Sequence, residues 1–101
     1  NVVVMPSRWE ASGLLAMEAL CTGVPLIASD CIGLRETVKD TPAFITISED
    51  QNDLVACMLS TIKDSKLISF QDFRTEARKR YDVASSAQKL VQFIQSMPER
   101  A

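Results

Sequence analysis

Apolar residues in the first half of the chain fall into short unbroken runs that are separated by small and polar turn residues. Three runs are rich in aliphatic residues and show no alternation of apolar and polar positions, which is typical of strands that are apolar on both faces. These predicted strands cover residues 2–6, 25–29 and 43–47. We expect the first of them to lie in the middle of a sheet, with a neighbouring strand on each side.

Helical spacing fills the intervals between the predicted strands and the rest of the chain. The first helix has Ser12 as its expected N-cap, and the third has Ser48 or Asp50. The alternation of strands and helices, with short links, predicts an α/β fold with a parallel sheet, flanking helices and right-handed βαβ connections. The predicted helices cover residues 12–23, 33–40, 48–64, 69–81 and 85–97.

Glu18 interrupts the apolar pattern of the first predicted helix. The residues three and four positions away are Leu14, Leu15, Cys21 and Thr22, and none of them is charged. We therefore expect a half-buried carboxylate without a local partner, which is costly unless some group donates a hydrogen bond to it. Two interpretations are open: Glu18 reaches water at the edge of the buried stripe, or it binds a hydroxyl group of a ligand.

The start of this helix favours the ligand. It follows a buried strand, so it lies at the carboxyl edge of a parallel sheet, where ligands bind in open α/β folds. The free amides of Ser12, Gly13 and Leu14 are expected to point outward at the positive end of the helix dipole and to form a site for an anion. Gly13, which has no Cβ, is expected to let a phosphate approach the backbone.

Two carboxylates flank this predicted anion site. Glu18 lies four residues after Leu14, about 6 Å further along the helix axis at ~1.5 Å per residue. That distance roughly matches the separation between the diphosphate and the ribose hydroxyls of one nucleotide. Glu10 lies in the loop on the opposite side, where it either contacts a group attached beyond the phosphates or is a solvated loop residue. The whole arrangement describes a pocket for a sugar nucleotide.

Composition narrows the chemistry that is open to this chain. Its 101 residues suffice for one domain or part of one, and 11 Lys and Arg against 13 Asp and Glu give no positive field for nucleic acid. Histidine is absent, which excludes His-dependent nucleophilic catalysis within the chain and most zinc sites. Cys21, Cys31 and Cys57 lack C-x-x-C spacing and are predicted to be core residues in a reducing compartment.

The stretch PSRWEASGLLAMEALCTGVPLIASDCIGLRETV resembles the signature region of the group-1 (family 4) retaining glycosyltransferases. The usual pattern of that family is P-S-x-x-E-G-F-G-L-x-x-x-E-A-x-x-x-G-x-P-V-I-A-S, followed by G-G-L-x-E. Glu10 and Glu18 carry its E-x7-E motif, and the likeness is specific over residues 5–38. It implies a GT-B architecture of two Rossmann-like domains. Residues 1–101 would be the second half of the C-terminal, donor-binding domain, with the upstream strands, a basic diphosphate-binding pair and the acceptor domain outside the chain.

The resemblance also implies a role for each candidate site residue. Glu10 would be the catalytic carboxylate, close to the anomeric centre of the transferred sugar, where it stabilises developing positive charge. The amides of Gly13 and Leu14, beside that of Ser12, would bind the diphosphate, and Glu18 would bind the ribose hydroxyls. Such enzymes need no cofactor and no bound metal, and their donor is a UDP-, GDP- or ADP-sugar.

As a function, the resemblance implies transfer of a sugar from that donor to a carbohydrate or lipid-linked acceptor, in polysaccharide or lipopolysaccharide biosynthesis. The expected place is the cytoplasm, at the inner face of a membrane where the acceptor is lipid-linked. The fragment alone is expected to be inactive, and to be weakly stable or to self-associate through an uncovered sheet edge. Two alternatives stay open: a related GT-B sugar-nucleotide epimerase or phosphorylase, and a non-catalytic Rossmann-like binding module.

The sequence departs from the family pattern at two turns. The Gly-Phe or Gly-Thr after the first glutamate is Ala11 and Ser12 here, and the family's Gly-Gly is Ile32 and Gly33. We therefore expect the loop beside the sugar and the turn near residue 33 to differ in shape. Trp9 either packs on a sugar or closes the core.

A basic cluster lies on the predicted helix over residues 69–81. It is either a contact for anionic lipid or, as we favour, a solvated face interrupted by Glu76. Asp30 and Glu36 are interpreted as turn and capping residues rather than catalytic ones. The cluster consists of Arg74, Arg78, Lys79 and Arg80.

Overall fold

The computed structural model describes residues 1–63 and 67–98. Its sheet has three parallel strands in the order β1-β2-β3, with Val4 opposite Ile27 and Ala28 opposite Ile45. Helices flank this sheet, which confirms the predicted α/β class and the parallel βαβ arrangement. The strands are β1 (Val3–Met5), β2 (Leu26–Ser29) and β3 (Phe44–Thr46).

The central strand is β2, all four residues of which are buried. In β1, Val3 and Val4 are only half-buried, and β1 pairs with β2 alone within residues 1–63 and 67–98. The second neighbour that we expect for residues 2–6 would come from upstream strands outside the chain, so that expectation stays a prediction.

The five helices begin and end within a few residues of their predicted bounds. In the third helix the Asp50 carboxylate accepts a hydrogen bond from the Asp53 amide at 3.0 Å, so Asp50 rather than Ser48 is the capping residue. Residue 64, the predicted end of that helix, lies outside the described residues. The bounds are α1 (Leu14–Thr22), α2 (Leu34–Val38), α3 (Gln51–Lys63), α4 (Leu67–Arg80) and α5 (Val83–Ser96).

The core lies between the sheet, α1, α2 and α4. Leu20 of α1, Leu26 of β2 and Leu34 of α2 are fully buried there, and Phe70 of α4 joins them with its ring centroid 5.9 Å from that of Phe44. Cys31 is also buried in this cluster, as predicted for a small core residue. Because α1 is anchored on two sides, by the sheet and by α4, its first turn has a fixed position at the carboxyl edge of the strands.

The last helix, α5, buries none of its residues. Its N-cap is Asp82, whose carboxylate accepts a hydrogen bond from the Ala84 amide at 3.2 Å. Its apolar side chains face solvent, among them Leu90, Val91 and Ile94. None of the helices in the described part of the chain is long and apolar enough to span a bilayer.

Candidate functional site

The loop between β1 and α1 holds Glu10 at the carboxyl edge of the sheet. Glu10 is half-buried, and its Oε1 accepts a hydrogen bond of 2.9 Å from the Ser7 hydroxyl. The Ser7 carbonyl in turn accepts a hydrogen bond from the hydroxyl of Ser29, a buried residue at the end of β2. The Glu10 side chain is therefore held by the loop, and the loop is held by the central strand.

The loop that follows β2 packs directly against the Glu10 backbone. The Glu10 amide donates a hydrogen bond of 3.2 Å to the Ile32 carbonyl. Gly33 has a φ of +94°, and a Cβ at this position would lie 1.7 Å from the Glu10 carbonyl oxygen. Of the two glycines that the family pattern has at this turn, the one at position 33 is thus retained where the two loops approach most closely.

The start of α1 differs from the sequence-based expectation. Gly13, with a φ of +68°, is the N-cap, and its carbonyl accepts hydrogen bonds from the amides of Ala16 and Met17 at 2.9 and 3.2 Å. The Ser12 hydroxyl makes no capping hydrogen bond, so the prediction of Ser12 as N-cap is wrong. The chain enters the helix through Gly13 in the left-handed conformation, so Ser12 lies one residue before the N-cap position.

Thr37 fixes the carbonyl side of this turn. Its hydroxyl lies 2.6 Å from the Ser12 carbonyl oxygen and 3.1 Å from the Gly33 carbonyl oxygen, and it is buried. The Tyr81 hydroxyl donates to the Thr37 carbonyl from the end of α4. Sequence reasoning missed Thr37, although it lies at helical spacing from Leu34 and is therefore a polar residue on a buried face of α2.

The amides at this turn remain available to a ligand. Within residues 1–63 and 67–98, the N–H groups of Ser12, Gly13 and Leu14 have no intramolecular acceptor. Gly13 itself is buried, and a Cβ on it would lie 2.6 Å from Cδ2 of Leu34. The positive φ and the contact with Leu34 both account for glycine at position 13, and the close approach of a phosphate to its backbone stays a prediction.

Glu18 lies one turn further along α1 and is exposed. The expectation of a half-buried carboxylate is wrong because the buried stripe of α1 runs through Ala16, Ala19 and Leu20, and Glu18 lies outside it. Leu14, four residues before Glu18, is also exposed, at 64%. The described part of the chain gives the Glu18 carboxylate no partner, so it is free to accept hydrogen bonds from a ligand in solvent.

The structure also shows the surroundings of Trp9, Asp30 and Glu36, to which the sequence assigns no firm place in the site. Trp9 is 67% exposed and so does not close the core. Asp30 pairs with Arg35 through an Oδ1–Nε distance of 2.5 Å, and this hydrogen bond raises the pKa of the Arg35 guanidinium above its usual value. Asp30 thus holds the turn after β2, as expected. Glu36 is exposed in the first turn of α2.

Two residues of the basic cluster on α4 have intramolecular contacts. The Arg78 Nε donates a hydrogen bond of 3.1 Å to the Cys21 carbonyl at the end of α1, where a positive charge complements the helix dipole. The Arg80 guanidinium lies 5.7 Å from the centroid of the Tyr81 ring. The Arg78 hydrogen bond therefore joins α4 to α1, whereas the Arg80 contact is with its neighbour in sequence.

The described residues offer no group of three or more His, Cys, Asp or Glu side chains that could hold a metal ion. The candidate site contains two carboxylates, a set of backbone amides and two serine hydroxyls. The structure brings Ser12, Gly13 and Leu14 together at the start of α1, with Glu10 in the preceding loop and Glu18 on the following turn. No sequence-predicted site residue lies elsewhere in the fold.

Comparison with known proteins gives a consistent picture. A family model described as glycosyl transferases group 1 matches residues 1–80. An uncharacterized 41.2 kDa protein in the cps region of Klebsiella pneumoniae is 38% identical over 82 residues, which are 80% of this chain and 22% of that protein. The lipopolysaccharide core biosynthesis mannosyltransferase LpsB of Rhizobium meliloti is 26% identical over 102 residues, covering 96% of this chain and 29% of that protein.

A solved structure has the same fold. The crystal structure of HepE from Anabaena in complex with UDP matches with a TM-score of 0.84 at 23% identity, and the match covers 96% of this chain and 28% of that one. At this level of identity the likeness concerns the fold alone. The chain therefore spans between a fifth and a third of the length of these proteins, at 22%, 29% and 28%.

Proposed function

Because the chain belongs to the group 1 glycosyl transferases, we propose that it forms part of the donor site of a retaining glycosyltransferase that uses a nucleotide-diphosphate sugar. The observation that carries this proposal is the placement of Glu10 and Glu18 on either side of unpaired amides at the start of α1. The signature that this chain resembles has the same three groups, and the chain carries them within nine residues, 10–18.

The diphosphate would bind at the first turn of α1. The N–H groups of Ser12, Gly13 and Leu14 lie at the positive end of a nine-residue helix. Hydrogen bonds between backbone amides and an anion are charge-assisted and about twice as strong as neutral ones. The Ser12 carbonyl, which would repel a phosphate, is held by Thr37. The local geometry thus favours an anion without any basic side chain from this segment.

The Glu18 carboxylate would accept hydrogen bonds from the ribose hydroxyls. It lies four residues after Leu14, about 6 Å along the axis, and it is exposed and unpaired within the described residues. A carboxylate is an acceptor only, with two oxygens that suit two neighbouring hydroxyl groups. Glu18 would therefore orient the nucleotide with its diphosphate towards the first turn of α1.

Glu10 would contact the transferred sugar near its anomeric carbon. In the reaction the bond between that carbon and the diphosphate oxygen breaks, and its electron pair leaves with the nucleoside diphosphate. A new bond forms from the carbon to the acceptor hydroxyl oxygen, whose proton is taken up by the departing phosphate. Positive charge develops on the sugar meanwhile, and a fixed carboxylate stabilises that charge without reorganisation.

The relatives indicate the wider setting of this proposal. HepE was solved with UDP bound, which supports a nucleotide donor, and LpsB is a mannosyltransferase of lipopolysaccharide core biosynthesis. We propose a carbohydrate or lipid-linked acceptor, a role in polysaccharide or lipopolysaccharide biosynthesis, and a cytoplasmic enzyme that meets its acceptor at the membrane surface. Acceptor contacts would come from residues outside this chain, so that residues 1–101 alone would be inactive.

Calorimetric titration of the full-length protein with UDP, GDP and ADP tests the donor site. We expect one diphosphate to bind, and Glu18→Ala to weaken its binding by about ten- to a hundredfold, the range for a hydrogen bond to a charged group. Glu76→Ala is the matched control, since Glu76 is an exposed helical glutamate on α4. If no diphosphate binds, or if both variants keep the wild-type affinity, the proposed site is wrong.

A further inference from the structure

In the described part of the chain the Glu10 carboxylate has one hydrogen-bond partner, the Ser7 hydroxyl, which lies 2.9 Å from Oε1. The nearest cation in sequence, Arg8, is committed elsewhere: its Nε lies 2.9 Å from Oε1 of Glu49, in the loop between β3 and α3. Arg35, in α2, pairs with Asp30. The neutral Ser7 hydroxyl thus orients the Glu10 carboxylate, and neither Arg8 nor Arg35 compensates its charge.

Ser7 is itself fixed on the sheet. Its carbonyl accepts the hydroxyl of Ser29, which is the last residue of the central strand and is only 3% exposed. Ser29 also belongs to the strand that carries the loop packed on the Glu10 backbone, through the hydrogen bond between the Glu10 amide and the Ile32 carbonyl. Two hydrogen bonds, both made by Ser7, therefore link the buried central strand to the Glu10 carboxylate.

We propose that Ser7 is a positioning residue for Glu10. By engaging Oε1, the Ser7 hydroxyl restricts the rotation of the carboxylate and leaves Oε2 to face the transferred sugar. This inference rests on the proposed function, in which Glu10 stabilises charge on the sugar. The role differs from simple support of the loop, because Ser29 and Ile32 already hold the loop through backbone groups.

This role predicts that Ser7 affects turnover but does not affect binding of the donor nucleotide. The diphosphate and ribose would be held by the start of α1 and by Glu18, none of which touches Ser7. Loss of the Ser7 hydroxyl would therefore leave nucleotide affinity unchanged within about twofold. It would lower kcat by about tenfold, as a mobile carboxylate spends less time in the productive orientation.

The experiment uses the full-length enzyme with UDP-glucose, GDP-mannose and ADP-glucose as probes. Release of nucleoside diphosphate gives kcat and KM, and titration with the free diphosphate gives the affinity. Ser7→Ala should show the loss in kcat at constant KM, and Ser7→Thr, which keeps a hydroxyl, should recover most of it. Ser60→Ala, at an exposed serine on α3, is the control and should match the wild type.

A double mutant separates positioning from a merely structural effect. In a Glu10→Gln background, which already lacks the charge, Ser7→Ala should cost less than twofold in kcat. Equal losses in both backgrounds, or a fall in diphosphate affinity with Ser7→Ala, would overturn the positioning role. Wild-type kcat in Ser7→Ala would overturn it too, and would leave the donor site intact. If the wild type binds none of the three diphosphates, the proposed function fails together with this inference.

Discussion

Gly33 and Glu10 are in such close contact that a Cβ on residue 33 would lie 1.7 Å from the Glu10 carbonyl oxygen. The contact joins the loop after β2 to the loop after β1, and the hydrogen bond from the Glu10 amide to the Ile32 carbonyl reinforces it at 3.2 Å. The backbone of Glu10 is therefore positioned by a turn that lies more than twenty residues further along the chain. Any side chain at position 33 has to move one of the two loops.

We expect Gly33→Ala to impair both stability and turnover. The left-handed φ of +94° costs about 1–2 kcal/mol for alanine, and the overlap with Glu10 adds roughly 1–3 kcal/mol. Denaturant unfolding of the full-length protein measures the first effect, and nucleoside diphosphate release from the donor measures the second. Since the Glu10 loop must shift, kcat should fall by at least about tenfold.

Gly23→Ala is the matched control for this substitution. Gly23 also has a positive φ, of +77°, but a Cβ there would meet its nearest atom at 3.4 Å, which is ordinary contact. Gly23→Ala should therefore lower the free energy of unfolding only by the cost of the positive φ, and it should leave kcat unchanged. Similar kcat values for both alanine variants would mean that the Gly33 contact has no bearing on Glu10.

Thr37→Val is expected to weaken nucleotide binding without touching the nucleotide. The substitution keeps the shape of the buried side chain but leaves the Ser12 and Gly33 carbonyls without their donor, at a cost of about 1–3 kcal/mol in unfolding free energy. The turn that presents the amides of α1 then loses its attachment to α2. Titration with the nucleoside diphosphate that the wild type binds should show a loss of about three- to tenfold in affinity.

The control for Thr37 is Thr61→Val on α3. The Thr61 hydroxyl also donates to the carbonyl four residues earlier, that of Cys57, at 2.8 Å, but this pair lies far from the site along the chain. Removal of such a bond within a helix should change stability by less than about 0.5 kcal/mol and leave nucleotide affinity unchanged. Equal affinity of the two variants would contradict the role of Thr37 at the anion site.

The fold could be predicted because its signals are local. Unbroken apolar runs, helical spacing and short links are each contained within about twenty residues, and together they allow few arrangements other than parallel βαβ units. The position of β1 at the edge of the described sheet is not local information. Val3 and Val4 are half-buried, and a run of apolar residues does not record which strands pair with it.

The sequence names candidate site residues, which stay predictions, and the structure shows a local geometry that differs from the expected one. The sequence left open whether Glu18 is half-buried or reaches water, because α1 is apolar on most of its surface and the core selects the stripe of Ala16 and Leu20 rather than Leu14. The capping of α1 by Gly13 and the donor role of Thr37 depend on contacts between residues 25 positions apart. Such contacts are set by the packing of α2 on α1, which no short pattern records.

Tyr81 should make stability depend on pH in the alkaline range. Burial raises the pKa of its hydroxyl, since the charged form is poorly solvated beside Thr37. A raised folded pKa favours the neutral phenol in the folded state. The contribution of Tyr81 to the free energy of unfolding is therefore fully present below the pKa of the unfolded state, about 10. It is lost as the pH rises through the higher pKa of the folded state.

Comparison with Tyr81→Phe isolates this effect. The chain contains one tyrosine, so all other titrating groups are common to both proteins. Urea unfolding should give the wild type an advantage of about 1 kcal/mol at pH 7, from the hydrogen bond to the Thr37 carbonyl. That advantage should shrink steadily between pH 9 and pH 12. A constant difference over this range would mean that Tyr81 titrates normally in the folded protein.

Residues 1–101 expressed alone are expected to self-associate. Within the described residues β1 has one neighbour, and α5 exposes Leu90, Val91 and Ile94 along one side. Unpaired strand edges and contiguous apolar faces both favour association in water. Sedimentation velocity at about 10 and 100 μM should show a mass that rises with concentration.

Two variants test whether α5 contributes to this association. The double substitution of glutamate for Leu90 and Ile94 should lower the apparent mass if it does, whereas Gln88→Glu, on the same helix, should leave the mass unchanged. A monomer at both concentrations would contradict the prediction.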